Sequence, residues 1–412
     1  MRISVLTHST MLVAVLTGLV VPFLFFGRAV MAVPLLAAVL IVALWLPGRG
    51  NYWRQMIERA RTPMGLLFLI TLVFLLPGIF YSPFPFRSFE AWVRIPVFVG
   101  SVTLLWAMLS EDYETLLLSL KVLFIASAIA ILLALASLSF APEVLYFVKN
   151  KWYPIRVTEE LKGFSSVAIL LAPVLLWAGR RLGGRWRLSS VLAVVGILGV
   201  VWLTRNKAAM AGLLLMLVVG GGLMMAVRRN KVVNIVVCVA LAAVTLAIVL
   251  WLHEIRGHLQ PPEGAVTVLP PWLIDWQRQT IWANTINLAM KSPWFGNGIN
   301  VINLLPGAEV RLGTSNLNVI PAHPHNWLFE VFAETGAVGV FGLLTLVIAL
   351  CMKLAGDYLK YDDTALFAAL MVAIGYWGSG LLNFSFWSAW WQASYLLLTA
   401  FCLAGRKPQQ KF

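Results

Sequence analysis

The feature that most constrains this chain is a succession of apolar runs, each about long enough to cross a bilayer and too continuous to be strands. They fall at 9–26, 29–46, 64–80, 91–109, 116–140, 163–179, 188–203, 208–227, 232–252, 337–355, 364–382 and 386–404. An α-helix needs about 20 apolar residues to span roughly 30 Å of hydrocarbon. A transmembrane barrel would instead alternate polar and apolar positions. Only 12% of the residues are charged and 60% are hydrophobic, whereas a soluble domain carries about 25% charged residues. The expectation is an all-α integral membrane protein of about 12 transmembrane helices, each satisfying its own backbone. The first run is long and followed by many others, so it is expected to act as an uncleaved signal anchor.

The net charge of +14 would suggest nucleic acid in a soluble protein. Here the distribution of the charge explains it. With the N-terminus inside, 17 Lys and Arg fall on inner segments and 12 on outer ones. The short connections at 49–61, 180–187 and 228–231 are densely basic, and only this orientation puts all three on one side. Both termini are therefore expected in the cytoplasm, and no nucleic-acid partner is expected. Cys238, Cys351 and Cys402 lie in apolar runs and read as small apolar side chains.

Residues 1–252 are expected to hold helices one to nine, 253–336 an external loop region with short helices, and 337–412 helices ten to twelve, in one integrated membrane domain. The loop region opens on a Pro/Gly-rich stretch. A helical stretch follows, with Asp275 near its start and Arg278, Trp282 and Ile286 on one face. Pro293 and "FGNG" at 295–298 end it, and "HNWLFEVFAETG" then leads into the next span.

Three outer residues stand out. Arg205, in "WLTRNKAAM", is either a boundary cation that snorkels or, with Lys207 at the start of the next helix, an anion site. Arg278, flanked by Trp272, Trp276 and Trp282, is either a cation on the solvated face of an external helix or an interfacial guanidinium whose planar fork suits a phosphate. His323 and His325 precede a span. Two histidines at i, i+2 suggest a metal only weakly, because the outer carboxylates show no ligand spacing; no metal or cofactor is expected. His325 is then a structural hydrogen-bonder or a general base. Glu330, one turn on, reads as an interfacial carboxylate, with orientation of the base as the alternative.

The stretch "HNWLFEVFAETGAVG" resembles the signature of the O-antigen ligase and polymerase superfamily: His325, Asn326, nine residues, Gly336, two residues, Gly339. "TRNKA" at 204–208 is similar to the family's arginine after a mid-chain span. "RQTIWANTINLAMKSPWFGNGIN" at 278–300 is similar to its second arginine with the turn that follows. "GFSSVAILLAP" at 163–173 resembles its Gly-led span, without the usual Asn-Pro-Asn. The resemblance covers most of 163–340. It implies a GT-C-like glycosyltransferase that moves an O-antigen glycan from an undecaprenyl-pyrophosphate donor to lipid A–core, in the inner membrane and on the periplasmic face. It also implies Arg205 and Arg278 on the pyrophosphate and His325 as the base, with inversion at the anomeric carbon and no metal. Lys207, Arg156 and Arg311 are further phosphate candidates, and Asn326, Trp282 and His323 candidate substrate contacts. A polymerase or a protein O-oligosaccharyltransferase of the same superfamily would use the same residues. A solute transporter is the competing class, but the chemistry-bearing residues gather at the outer rim and no repeat is visible.

Overall fold

The computed structural model describes residues 8–149, 156–228, 230–258, 260–261, 265–311, 318–382 and 384–406. The first helices are α1 (His8–Leu19), α2 (Arg28–Leu40), α3 (Arg49–Ala60), α4 (Pro63–Leu75), α5 (Pro77–Phe80), α6 (Pro85–Glu111) and α7 (Tyr113–Ser139). The middle of the chain forms α8 (Pro142–Val148), α9 (Val157–Glu160), α10 (Lys162–Leu182), α11 (Arg185–Leu203), α12 (Lys207–Arg228) and α13 (Lys231–Arg256). After these come α14 (Trp276–Ala289), α15 (Trp327–Tyr361), α16 (Thr364–Gly380) and α17 (Ala389–Ala404). Among the described residues nine helical stretches are long and apolar enough to cross a membrane, taking α4 with α5 and α2 with its extension to Trp45. The shorter apolar helices α1, α16 and α17 coincide with the remaining three apolar runs. The chain is thus an all-α integral membrane protein.

Short polar residues set where the spans begin. The Thr62 hydroxyl accepts from Gly65 N–H at 3.2 Å, with Pro63 at the first helical position. Asn230 takes the N–H groups of Val232 and Val233 to start α13, and Asp363 takes that of Ala365 to start α16. These caps satisfy amides that lipid cannot. At the centre lies α10, 78% of whose span is buried, packed by α11, α12, α16 and α17. At the margin lies α13, only 6% buried and resting chiefly on α12.

The basic connections at 49–61 and 180–187 converge on one end of the bundle. Asn51 and Gln55 of α3 donate to Glu111 at the end of α6. The Arg59 guanidinium sits 4.6 Å from the Trp106 ring, and that of Arg181 5.1 Å from Tyr113. Arg406 reaches Asp357 at 3.5 Å. From this end α11 runs to the other, where α12 begins, α13 ends and α14 starts.

The loop region is helical further into each flank than the apolar runs suggest: α13 continues to Arg256, and α15 starts at Trp327. On the α15 side the extension ends at a break: Gly336 has φ +67° and ψ −172°, so a short buried piece and the span proper join there.

The charge pattern predicts opposite exposure of the two ends. In a cysteine-free background, Thr267→Cys should react with a membrane-impermeant maleimide in spheroplasts, and Glu58→Cys only after lysis. Labelling of both from outside would overturn the orientation.

Candidate active site

The site is built on a clasp between the break in α15 and the turn after α14. A helix interrupted at Gly336 leaves main-chain groups unpaired, and the 293–298 turn takes them up. Ala337 N–H donates to the Pro293 carbonyl at 2.8 Å and Val338 N–H to Trp294 at 3.2 Å. In return, Asn297 N–H donates to Ala333 and Gly298 N–H to Glu334, each at 3.0 Å. Such pairing needs two backbones in near contact. A Cβ on Gly296 would lie 2.2 Å from the Glu334 carbonyl carbon, and one on Gly336 2.2 Å from that of Trp294. Both glycines also have positive φ, so each is required by space and by conformation.

Two buried carboxylates lock the clasp. Glu334 is fully buried and accepts from the N–H groups of Asn300, Val301 and Ile302 at 2.6–2.9 Å, and from Trp387 Nε1. Glu330 accepts from Phe386 N–H at 2.7 Å. The expectation of an interfacial carboxylate at 330 is therefore corrected. It is 2% exposed and serves the turn before α17, because a buried charge is tolerable only when hydrogen-bonded.

The clasp holds α14 against α15, and α14 holds the histidine loop. Trp282 Nε1 donates to the Pro324 carbonyl at 3.0 Å, and its ring meets Phe329 edge-on at 5.7 Å. His325 has φ +58°, an uncommon conformation for a residue with a Cβ. Its N–H donates to His323 Nδ1 at 3.2 Å, and the two imidazoles lie 4.2 Å apart. Asn326 is almost buried, and its side-chain oxygen accepts from Leu328 and Phe329 N–H at the start of α15. Its role is thus to fix the residue after His325. Burial, and after it the charges or dipoles of His325, Arg28 and Arg278, push the His323 imidazole down to about 3. A neutral ring is what the bond from His325 N–H requires, since Nδ1 must accept. Arg28, whose guanidinium lies 5.0 Å from the Trp390 ring, thereby joins the neighbourhood.

At the other end of α14 is a knot of cations. The preceding loop is pinned to α14 by Gln279, which accepts from Val268 and Leu269 N–H at 2.7 Å and donates to the Leu269 and Ile274 carbonyls. This presents Asp275, which pairs with Lys207 at 2.7 Å, with Arg278 at 3.7 Å and with Arg256. Burial lowers the pKa of both arginines, yet a guanidinium stays protonated in proteins. Lys207 and Arg278 also line a cavity of about 160 Å³ whose remaining wall is apolar but for Thr245, with Met210 and Leu214 of α12, Ile248 and Leu252 of α13, and Leu273.

Arg205 stands beside the knot in sequence, in the turn between α11 and α12. Its neighbours are tied inward. The Thr204 hydroxyl bonds Ser165 at 3.0 Å, and Asn206 Nδ2 donates to Ser166 Oγ at 2.9 Å and to the Lys162 carbonyl at 3.0 Å. Arg205 itself is exposed, at φ +48°. Of the nine predicted site residues, Lys207 and Arg278 share one carboxylate, while His323, His325 and Asn326 share one loop that Trp282 of α14 holds. Arg156, exposed before α9, and Arg311, exposed in a short bridge to Asn318, lie outside both groups of contacts. Sequence reasoning passed over Arg256, Asp275 and Glu334 as site residues. An ionisable residue at the edge of an apolar run is the signal that could have raised Arg256 and Glu334. Among the described residues no cluster of three His, Cys, Asp or Glu could hold a metal ion.

These features define a multi-span membrane protein with a cationic, imidazole-bearing site at one end of its bundle. The model of the O-antigen ligase family matches residues 192–344, a stretch that contains Arg205, Lys207, Arg256, Arg278, His325 and the Gly336 break. That match supports an O-antigen ligase-type family for this stretch of the chain. No curated protein matches the chain.

Two outcomes follow. Gly336→Ala, forced into positive φ against the Trp294 backbone, should destabilise the protein by about 2–3 kcal/mol or more, read as lost thermal stability in detergent; an unchanged melting point would contradict the clasp. For His323 the folded pKa lies below the unfolded value, so its contribution is complete above about pH 6.5 and declines as pH falls toward 3. Hydrogen exchange in 318–326, corrected for intrinsic rates, should quicken from pH 7 to pH 5 in the wild type and not in His323→Gln. A flat wild-type profile would refute this.

Proposed function

We propose that this chain is an O-antigen ligase. It transfers the glycan of an undecaprenyl-pyrophosphate donor to a hydroxyl of lipid A–core at the periplasmic face of the inner membrane. The observation that carries the reading is the placement of α14. At its start Arg278 and Lys207 stand at the mouth of an apolar cavity between α12 and α13. One turn on, Trp282 holds the loop of His325. A lipid pyrophosphate has this division of chemistry: a polyprenyl chain for the apolar wall and phosphates for the cations.

In the proposed mechanism the tail enters beside the marginal helix α13, and Arg278, Lys207 and Arg205 bind the pyrophosphate. His325 accepts the proton of the acceptor hydroxyl. That oxygen attacks the anomeric carbon, the bond to the pyrophosphate oxygen breaks, and the configuration inverts. The guanidinium groups stabilise the charge that grows on the leaving oxygen, so no metal is required. Arg156 and Arg311 are outlying cations for phosphates of the acceptor. His323 and Asn326 position His325.

The test is transfer in vitro with purified protein, lipid-linked glycan and purified lipid A–core, in EDTA. His325→Ala should lose about 10²–10⁴-fold in rate, the usual contribution of a general base, while retaining donor binding. Arg278→Lys should rescue poorly, because lysine lacks the fork. Full activity of His325→Ala would remove the imidazole from the mechanism. A longer lipid-linked glycan, in place of glycosylated lipid A–core, would identify a polymerase.

A further inference from the structure

Asp275 is a poor fit to the part its position suggests. It stands at the N-cap of α14, where an aspartate ordinarily accepts from the first free N–H groups. Here the side chain makes no such bond. It turns instead to Lys207, Arg256 and Arg278. Arg256, the last residue of α13, is 7% exposed at its side chain and also donates to the Trp272 carbonyl at 3.3 Å. Three cations around one carboxylate leave two formal positive charges in a half-buried site, where like charges repel more strongly than in water.

We propose that Arg256, the third cation paired with Asp275, also binds the phosphates of the donor, and that the Asp275 carboxylate is a resident counter-ion which the incoming pyrophosphate displaces. The inference rests on the donor reading above and deepens it. The geometry supports it in three ways. The carboxylate bridges all three cations, which is the contact pattern of a small polyanion. It is partly exposed, so it has a path to solvent. Because it caps no helix amide, its departure costs α14 no hydrogen bond. An anion of higher charge gains more from three desolvated cations than a single carboxylate does. An empty site is therefore kept neutralised, and a filled one releases its placeholder.

The experiment is equilibrium binding of inorganic pyrophosphate and of farnesyl pyrophosphate to the purified full chain in nanodiscs at low salt. Asp275→Asn should bind both about tenfold more tightly, and Arg256→Gln about tenfold more weakly. Asp275→Asn binding as weakly as Arg256→Gln would show that the carboxylate is a strut and not a competitor. Unchanged affinity in Arg256→Gln would remove the third cation. If Arg256→Gln is not monodisperse, Arg256→Lys replaces it: a partial loss is expected, and wild-type affinity overturns the assignment. Failure of the donor reading looks different, because the wild type would then bind farnesyl pyrophosphate and transfer no glycan. A wild type that transfers glycan but whose affinity for both ligands is unmoved by either variant would sink this inference alone.

Discussion

A helix broken near the edge of a bilayer has to find partners for its main-chain groups, and the rest of this site depends on how α15 finds them. Ala337 and Val338 donate to Pro293 and Trp294, and Ala333 and Glu334 accept from Asn297 and Gly298. Each unpaired group would cost several kcal/mol in apolar surroundings, so the turn after α14 is not free to drift. Glu334 extends the constraint by gathering three consecutive amides of the 300–302 segment. The result is a rigid platform from which α14 presents Arg278 at one end and fixes the histidine loop through Trp282 along its length.

The platform alone would hold side chains without giving them a target. The target comes from where α14 starts. Its first turn meets the start of α12 and the end of α13, so two of the cations line an apolar cavity. The cavity wall is drawn from α13, the least buried span. A helix held on chiefly one side is the one that can yield to a lipid tail at small cost, since lipid replaces the contacts it gives up.

Much of this was legible in the sequence, for physical reasons. The spans follow from the length of the apolar runs, because lipid permits few alternatives. Arg278 and Trp282 share a face by helical periodicity, and the PWFGNG turn announces itself through proline and glycine; the break at Gly336 does not, because a lone glycine in a helical pattern is usually tolerated. Pairings across long separations were not legible. Nothing local to Asp275 says that it will meet Arg256 and Lys207 rather than cap its own helix. Glu330 and Glu334 look like ordinary carboxylates until the fold shows that they accept from backbone amides 56 and 33 residues away. Asn326 was placed as a substrate contact, and its position before an apolar run was itself a capping signal.

Two residues with side chains in left-handed backbone conformations, Arg205 and His325, fall at the two places where the chemistry is proposed. Each is flanked by residues that do structural work: Thr204 and Asn206 tie to α10, while His323 and Asn326 tie down the loop and cap α15. Conformations of this kind cost about 1–3 kcal/mol and persist only where the surroundings over-determine them. Anchoring both neighbours inward turns the residue between them away from the path a relaxed chain would take. Arg205 is left exposed in this way and His325 half-buried against the His323 ring, and the same sequence pattern, a residue in a left-handed conformation with anchored residues on either side, recurs at both positions.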